Sequence, residues 1–463
     1  MPAPFSFLPR APMLAADHAW LRMERPDNRV IIHLALVVDG PLQLSTVLAC
    51  LAQRLLIYPA FTHKVVRRGW RAQWQADPQF RLEHHVRQCV VPGGLQRSAL
   101  KAWMASQAHE ALPADRPLWD ATLVHNVDGR HSALVMRVHH ALADGVSLMH
   151  LMRELTDVAP GTPRLSPART AQRSPLSPAT LRHQPWRVLA DAWRLATLPA
   201  DRPTLLKGQP GIHKSVAWSE SLPLAQVHAL AKTQGTTVND VMLALIADVL
   251  RQDLRLRTKP RPSAPIRTVV PMNLRRHGEE DQLGNRFGLV GCDLPLHLSD
   301  PLDRLRAIHR DMQQLKHSWQ GQLALALVQV AGCLPQRLQD ALLGLWSRRC
   351  TVIVTNVIGP AEPRTFAGAP LDDLMLLVPQ GMTVGVGVSI VSYAGQLRVG
   401  FLVDTKLMPD CSGAAAGIKP AFDRLRYAVR RAPTDLRVWR QSRLKEASER
   451  QLKKAGHKEQ RRA

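Results

Sequence analysis

Two hydrophobic patterns alternate along the first part of the chain. Short uninterrupted apolar runs predict buried strands, and apolar residues spaced three or four apart predict amphipathic helices. The predicted strands cover residues 31–38 and 132–138, and the predicted helices cover residues 42–56, 95–111 and 144–157. Strands and helices that alternate in this way favour an α/β fold.

The same alternation returns nearer the C-terminus. Helices are predicted at residues 186–198, 224–233, 238–251, 301–316 and 410–430, and strands at 266–270 and 351–354. Residues 384–391 and 397–403 flank the turn sequence SYAG and predict a hairpin. Because 463 residues are too many for one ordinary core, the repeated pattern indicates two α/β parts.

A change of composition separates these two parts. Between residues 159 and 185, proline, serine, threonine and arginine crowd together and apolar periodicity disappears. Proline removes a backbone donor and restricts φ, so this stretch predicts an extended linker. The chain then divides into an N-terminal half (1–158), a linker with a crossing helix (159–205), a C-terminal half (206–435) and a basic tail (436–463). The tail is expected to be solvated, with contact to anionic lipid as the alternative.

The excess of basic side chains narrows the class of partner. Lysine and arginine number 61 against 37 acidic residues, for a net charge of +24. This balance favours a polyanion: nucleic acid, an anionic membrane surface or a phosphorylated cofactor. No zinc-finger, RNA-recognition or compact helix-turn-helix pattern accompanies it, which argues against nucleic-acid binding. The six cysteines lack CxxC pairs and zinc-ligand spacing, which favours buried reduced thiols.

No segment has the pattern of a signal peptide or a membrane span. The first twenty residues lack a basic start followed by a long apolar run. The longest stretch without ionised side chains, residues 317–336, contains several glutamines and a proline near its end. A bilayer crossing needs about 20 mostly apolar residues. We therefore expect a buried helix here, with a helix lying in the membrane interface as the alternative.

The segment VHHALADGVSLMHLM carries the strongest chemical signal. A predicted strand ends at His139 and His140, and Asp144 and Gly145 open the helix that follows. Adjacent side chains of a strand point to opposite faces, so the two histidines are poorly placed to share a metal ion, and no metal is expected. Taken singly, Asp144 fits a helix N-cap and either histidine fits a core residue. The ordered combination indicates a functional site.

HHALADG at residues 139–145 resembles the HHxxxDG motif of coenzyme A-dependent acyltransferases with the chloramphenicol-acetyltransferase-like fold, a group that includes condensation domains. Further segments resemble the bacterial wax ester synthase/diacylglycerol acyltransferase family. They are PLW at 117–119, ND at 239–240, PMNLR at 271–275, LGN at 283–285, TNVIGP ending at Pro360 and SYAG at 392–395. The resemblance covers about residues 13–430. A typical member differs in lacking the long Pro/Arg-rich linker and the basic tail.

The resemblance implies two similar α/β halves with the active site at their interface. It also implies transfer of a fatty acyl group from acyl-CoA to diacylglycerol or a long-chain alcohol, giving triacylglycerol or wax ester. By position His140 is the family's general base, and a neutral imidazole suits the removal of a hydroxyl proton during attack on a thioester. Direct attack needs no acyl-enzyme, consistent with the lack of a GxSxG motif. Coenzyme A thioester is then a co-substrate, and no cofactor is expected.

The resemblance also nominates residues around His140, each with an alternative role. Asp144 is expected to hold the loop, Gly145 to allow close backbone approach, and His139 either to support the turn or to join the site. The candidate substrate contacts are Pro117, Leu118 and Trp119 (acyl-binding wall or core), Asn239 and Asp240 (site or helix cap), and Asn273, Arg275 and Asn356 (interface contacts or structural residues).

Lipid substrates imply a cytoplasmic protein in peripheral contact with the inner membrane or with lipid inclusions. Two other functions remain open. One is a same-fold acyltransferase that takes a carrier-protein thioester in secondary metabolism, and the other is a non-catalytic member that binds lipid. The chain has no obvious carrier domain, and the intact HHALADG motif argues against a purely binding role, because a binding scaffold has no need of a base.

Overall fold

The computed structural model describes residues 10–91, 96–162, 185–258, 263–275, 284–316 and 318–431. The helices are α1 Ala15–Met23, α2 Leu44–Arg54, α3 Arg97–Gln107, α4 Gly145–Leu155, α5 Pro185–Thr197, α6 Leu224–Thr233, α7 Val238–Arg257, α8 Pro301–Leu315, α9 Gln320–Cys333, α10 Gln336–Ser347 and α11 Ser412–Arg431. Most of the predicted linker and the whole of the basic tail lie outside the described residues.

The strands are short to medium in length. They are β1 Arg10–Pro12, β2 Ile31–Asp39, β3 His63–Arg68, β4 Arg71–Ala76, β5 Val86–Val90, β6 Trp119–His125, β7 His131–His139, β8 Asp157–Val158, β9 Lys214–Trp218, β10 Leu222–Pro223, β11 Ile266–Asn273, β12 Phe287–Leu294, β13 Val352–Ile358, β14 Arg364–Phe366, β15 Ala369–Leu377, β16 Val386–Tyr393 and β17 Gln396–Asp404. The helices and strands predicted from periodicity are all present, most of them with shifted ends, and α6 has the predicted bounds.

Within the described ranges, the sheet of the N-terminal half has seven strands in the order β5-β6-β7-β2-β15-β14-β8. Its central strand β2 is buried along its whole length except at Asp39. It pairs antiparallel with β7, which places Ile31 opposite His139. A strand covered on both faces has no polar face, so its sequence reads as an unbroken apolar run rather than an alternation.

Two strands from late in the chain complete this N-terminal sheet. β15 pairs antiparallel with β2, with Leu376 opposite Leu34, and β14 pairs with β8. Both strands come from the segment assigned by sequence to the C-terminal half. The division by residue number therefore departs from the division into sheets at residues 364–377. The buried run of β15 at residues 373–377 packs beside β2, a partner strand distant in sequence.

The sheet of the C-terminal half also has seven strands. Its order is β10-β17-β16-β13-β11-β12, with β9 beside β17, and β13 runs parallel to both β11 and β16. The predicted hairpin is β16–β17, and its turn residues Ala394 and Gly395 both have positive φ, at 46° and 75°. Two consecutive left-handed residues are the requirement of the tight hairpin turns that match strand twist.

The first helix crosses onto the C-terminal half and packs against α9. A Cβ at Gly332 would lie 1.7 Å from the carbonyl oxygen of Ala15, so only glycine allows this crossing. Arg22 donates to the carbonyl oxygens of Ala331, Gly332 and Leu334 at 2.8 to 3.1 Å. These carbonyls lie at the end of α9, where a helix leaves its acceptors unpaired. The position of α1 is thereby determined by close contacts at its two ends.

Helix α9 occupies most of the apolar stretch at residues 317–336, of which His317 lies outside the described residues. Its buried residues are small: Gly321, Ala324, Ala331 and Gly332. The larger apolar side chains are partly exposed, so the helix was predicted correctly but its complete burial was not. Across the described ranges, no helix combines the length and apolar character needed to cross a bilayer.

Candidate active site

A cavity of about 180 Å³ lies between the two halves. Most of its wall is apolar and comes from both halves, including Trp20, Ile32, Phe287, Leu327, Trp346 and Leu376. Polar side chains that reach it include His140, Asp144, Asn273, Thr355, Asn356 and Gln380. A mostly apolar cavity with a few converging polar groups is the usual form of a small-molecule site.

His140 follows directly on strand β7 and lines this cavity. Its backbone N–H donates to the carbonyl oxygen of Val30 at 2.8 Å. The imidazole stacks on Trp20 with ring centroids 4.5 Å apart and an interplanar angle of 13°, and Phe287 lies at 5.6 Å. The rings of His140, Trp20 and Phe287 therefore form one cluster, in which Trp20 and Phe287 also stack on each other with centroids 5.8 Å apart, and His140 lines the space between the halves.

The electrostatic surroundings favour a neutral His140. Burial lowers the pKa of its imidazole below the usual 6.5, because a buried site disfavours the charged form. Hydrogen bonds to its own backbone and to Asn285, together with the charge of Asp144, act in the opposite direction. The Nδ1 atom lies 3.0 Å from Oδ1 of Asn285. A neutral imidazole at neutral pH is the protonation state that a general base requires.

His139 points away from the cavity, as expected for neighbouring residues at the end of a strand. Its side chain is 1% exposed, and its Nδ1 accepts a hydrogen bond from the backbone N–H of Ala141 at 3.0 Å. Burial and the neighbouring His140 lower the pKa of His139 to about 3. Of the two roles left open by sequence, these contacts fit support of the turn.

Asp144 combines both structural roles that its sequence context suggested. One carboxylate oxygen caps helix α4 by accepting from the backbone N–H of Ser147 at 2.9 Å. Both oxygens are also paired with Arg275, at 2.8 and 3.0 Å. The guanidinium further donates to Ser147 Oγ and to the carbonyl oxygen of Gly284. Because its Nη groups are engaged in this way, Arg275 acts as the partner of Asp144 and does not line the cavity as a substrate contact.

Gly145 lies where the start of α4 meets strand β13. A Cβ at this position would lie 3.3 Å from Cγ2 of Val357, which is tighter than an ordinary contact. The glycine thus allows the close approach expected from sequence and keeps the helix start beside His140.

The remaining polar candidates separate into two groups. Asn273 and Asn356 line the cavity, and Asn356 Nδ2 donates to Asn239 Oδ1 at 3.2 Å. Asp240 is fully buried, forms a capping box with Thr237 and contacts Nδ1 of His309 at 2.7 Å. The cap interpretation therefore fits Asp240. Asn239 is not among the residues that line the cavity, but it contacts Asn356, which is.

The PLW segment lies in the core of the N-terminal half. Trp119 is fully buried, donates from Nε1 to the carbonyl oxygen of Phe61 at 2.8 Å and stacks on His85. The carbonyl oxygen of Leu118 accepts from the backbone N–H of His139. Pro117, Leu118 and Trp119 are not among the residues that line the cavity, so the core alternative fits this segment.

The residues that surround the His140 ring were not predicted as site residues from the sequence. Asn285 belongs to the LGN segment at residues 283–285, and the resemblance of that segment to the family was the signal that could have identified Asn285. Trp20 and Asp17 come from α1, and Phe287 begins β12. Their sequence neighbourhoods resemble those of ordinary core residues, so only the packing of α1 onto the C-terminal half reveals them.

Comparison with known proteins agrees with this geometry. A model of the wax ester synthase/diacylglycerol acyltransferase catalytic domain matches residues 13–195, and a model of the C-terminal domain of the same family matches residues 283–426. The chain belongs to the wax ester synthase/diacylglycerol acyltransferase family. It is therefore an acyltransferase, as its HHALADG motif suggested.

Individual relatives support the family and the fold. A Mycobacterium tuberculosis protein named a probable diacylglycerol O-acyltransferase is 27% identical over 439 residues, covering 88% of this chain and 94% of that protein. The wax ester synthase/diacylglycerol acyltransferase structure from Marinobacter aquaeolei matches with a TM-score of 0.68 and 21% identity, over 90% of this chain and 98% of that one. The first condensation domain of the CDA synthetase matches with a TM-score of 0.55 and 16% identity, over 90% and 95%. The two-halved chloramphenicol-acetyltransferase-like fold is thus confirmed.

Proposed function

We propose that this acyltransferase moves a fatty acyl group from acyl-CoA to the hydroxyl of diacylglycerol, of a long-chain alcohol, or of both. His140 acts as the general base, and no acyl-enzyme forms. The observation that carries the proposal is the His140 imidazole, which burial keeps neutral while its ring lines an apolar cavity between the halves. An apolar wall suits an acyl chain, and a neutral imidazole suits the hydroxyl that attacks its thioester.

The proposed proton transfer uses Nε2, the ring nitrogen of His140 that does not face Asn285. Nδ1 faces the oxygen of Asn285, so Nε2 takes the hydroxyl proton while the substrate oxygen bonds to the thioester carbon. The tetrahedral intermediate then breaks its carbon–sulfur bond. The departing coenzyme A thiolate takes the proton from Nε2, and the imidazole returns to its neutral form. Asp144 and Arg275 hold the loop that carries this ring without joining the reaction.

The acceptor is proposed from the family and from the name of the mycobacterial relative, which specifies diacylglycerol. The likeness to condensation domains keeps a carrier-protein thioester as the second candidate donor. Labelled palmitoyl-CoA offered with diacylglycerol or with hexadecanol identifies the acceptor, since triacylglycerol and wax ester are separable by thin-layer chromatography. Activity with an acyl-carrier protein alone would favour the second candidate.

His140→Gln tests the proposed base. The expected loss of kcat is about 10²–10⁴-fold, with a small change in KM, because positioned acid–base catalysis is worth that much. His228→Gln is the matched control, since His228 is an exposed histidine on α6. Full activity in the His140 variant would exclude the mechanism. Inactivity of both wild type and variant, together with tight vesicle binding, would favour a non-catalytic lipid-binding role.

We also infer that the protein works in the cytoplasm in peripheral contact with the inner membrane or lipid inclusions. Helix α5 supports this inference because it has no buried residue, and Trp186, Leu189 and Trp193 are 63%, 70% and 71% exposed. These residues recur at helical spacing on one face. The helix is held to the body by Asp191, whose carboxylate accepts from the backbone N–H of Trp319 at 2.8 Å. Tryptophan and leucine on an anchored amphipathic helix are typical of insertion into a membrane interface.

Vesicle binding tests this surface. Each exposed indole presents on the order of 100 Å², worth roughly 2 kcal/mol when it leaves water. Trp186→Ala with Trp193→Ala should therefore weaken partitioning onto phospholipid vesicles by at least about 100-fold. Trp70→Ala, an exposed tryptophan on the β3–β4 turn, is the control and should bind as wild type. Equal binding of all three proteins would contradict the inference.

A further inference from the structure

The geometry points to Asn285 and Asp17 as positioning residues that hold His140 in its Nδ1–H tautomer and so leave Nε2 free as the base. Asn285 contacts the histidine directly, and Asp17 controls which way the Asn285 amide faces. This inference rests on the proposed role of His140 as general base, and nothing in the HHALADG motif itself supplies either residue.

Asn285 contacts both the ring and the backbone of His140. Its Oδ1 lies 3.0 Å from Nδ1 of the ring, and its Nδ2 donates to the carbonyl oxygen of His140 at 2.7 Å. The same Nδ2 donates to Oδ1 of Asp17 at 2.8 Å. Asn285 is 6% exposed, so water is a poor substitute for these partners.

The orientation of the amide follows from what surrounds it. An asparagine carries two donor hydrogens on nitrogen and only acceptor capacity on oxygen. Two acceptors, the His140 carbonyl and the Asp17 carboxylate, lie on the nitrogen side. A flipped amide would face both of them with its oxygen and would leave buried acceptors unpaired, at a cost of about 1–3 kcal/mol each.

The orientation of the amide, together with the hydrogen bond of the ring to its own backbone, determines the tautomer of the ring. Because Oδ1 of Asn285 can only accept, the Nδ1 atom of His140 must carry the hydrogen. In a neutral imidazole the other nitrogen then holds the lone pair. An amide also cannot remove a proton from Nδ1, so the proton taken up during the reaction leaves again only through Nε2. This directs it to the departing thiolate.

Asp17 reaches the site because α1 crosses onto the C-terminal half. It lies 268 residues before Asn285 in sequence and is 2% exposed. Gly332, Arg22 and His18 hold α1 against α9, and His18 Nδ1 lies 2.9 Å from the Gly332 carbonyl oxygen. Trp20, one turn further along α1, stacks on the ring. Helix α1 therefore orients the imidazole in two ways. Trp20 packs on the face of the ring, and Asp17 acts on the ring edge through Asn285.

Three ionisable groups of the described residues lie near the ring or act on it through Asn285. Asp17 acts through Asn285, Asp144 lies at the start of α4 with its charge paired to Arg275, and His139 is adjacent in sequence. Burial raises the pKa of Asp17 to about 7, so its carboxylate is partly ionised at neutral pH. Its oxygen accepts from Asn285 in either protonation state, and its ionised form favours the positive charge that develops on His140.

Asn285→Leu is the direct test, since leucine has a similar shape and no polar atoms. With palmitoyl-CoA and diacylglycerol, kcat should fall about 10²-fold while KM stays within about twofold, because the substrate pocket keeps its wall. Nitrogen-15 spectra of the labelled protein, assigned to His140 with the His140→Gln variant, should show Nδ1–H in wild type and a mixture of tautomers in Asn285→Leu. Asn28→Leu is the control for removing a buried asparagine, because the Asn28 side chain donates to the Met382 carbonyl oxygen and not to His140. It should leave the His140 spectrum as in wild type.

Asn285→Asp provides a second test that does not depend on the leucine variant folding. The aspartate is combined with Asp17→Asn, so that the new amide of residue 17 can donate to its second oxygen, while its first oxygen still accepts from Nδ1–H and adds negative charge. This variant should retain more activity than leucine. It should also move the acidic limb of the pH–rate profile to higher pH. A profile identical to that of wild type would overturn the inference, as would wild-type kcat and an unchanged His140 spectrum in Asn285→Leu. In those cases an inactive His140→Gln leaves the proposed function standing, whereas an active His140→Gln rejects the function itself.

Discussion

The ion pair between Asp144 and Arg275 joins the two halves beside the base, and its removal has a calculable cost. Their side chains are 4% and 0% exposed, and two N–H···O contacts of 2.8 and 3.0 Å connect them. Removing one member of a buried pair costs about 3–5 kcal/mol, because the other charge is left without compensation. In Arg275→Met the Asp144 carboxylate keeps the backbone N–H groups of Ser147 and Arg286 as donors. We therefore expect the lower end, about 3 kcal/mol.

A double-mutant cycle measures this coupling. Asp144→Asn keeps an oxygen for the helix cap but presents no charge to the guanidinium, so it also should cost about 3 kcal/mol. The double variant has neither buried charge, and its cost should be smaller than the sum of the two by about 2 kcal/mol or more. Kinetic measurements should show a lower kcat in both single variants, because the loop that carries His140 loses its tether to the C-terminal half.

Urea unfolding followed by circular dichroism and by tryptophan fluorescence is the assay, and coincident transitions would support two-state treatment. The exposed pair of Lys419 and Glu220 is the matched control. Its N···O distance is 2.7 Å, but its side chains are 56% and 72% exposed. Lys419→Met should leave the urea midpoint unchanged. If the costs of Asp144→Asn and Arg275→Met add within about 0.5 kcal/mol, the two residues do not act as a buried pair.

Three further results are expected. Burial lowers the pKa of His140 and its neutral form is active, so kcat/KM should fall only as pH drops below about 6.5. A pH–rate profile with its acidic limb above pH 7 would contradict this. Gly332→Ala should destabilise the protein by several kcal/mol and lower kcat, since the new Cβ would lie 1.7 Å from the Ala15 carbonyl oxygen and displace α1. Thermal unfolding and activity measurements on Gly332→Ala check this prediction, and a melting temperature equal to that of wild type would refute it. Burial raises the pKa of Asp17 from 3.8 to about 7, so its contribution to stability is complete below pH 4 and is lost as pH rises to 7. Between these pH values wild type should lose up to about 4 kcal/mol more unfolding free energy than Asp17→Asn, at ~1.4 kcal/mol per pH unit. If the unfolding free energies of wild type and Asp17→Asn, measured in urea, change with pH in the same way, this contribution of Asp17 is excluded.

The sequence by itself determined the local elements and the centre of the chemistry. The apolar run of β2 and the helical spacing in α7 are properties of adjacent residues, and the backbone responds to them locally. Alternation along β7 also separated His139 from His140 before any contact was known. The motif that follows β7 indicated that Asp144 caps a helix or holds the loop.

Tertiary structure decided which distant residues complete the site. An apolar or charged side chain specifies that it needs a partner, but its neighbours in sequence do not specify which one. Arg275 was predicted either as an interface contact or as a structural residue, and it lies against Asp144, 131 residues away. Likewise β15 joins the N-terminal sheet, and Asp17 reaches Asn285 only because α1 packs on α9. Each of these contacts depends on how the chain crosses between its halves, and hydrophobic periodicity carries information about burial without information about the partner.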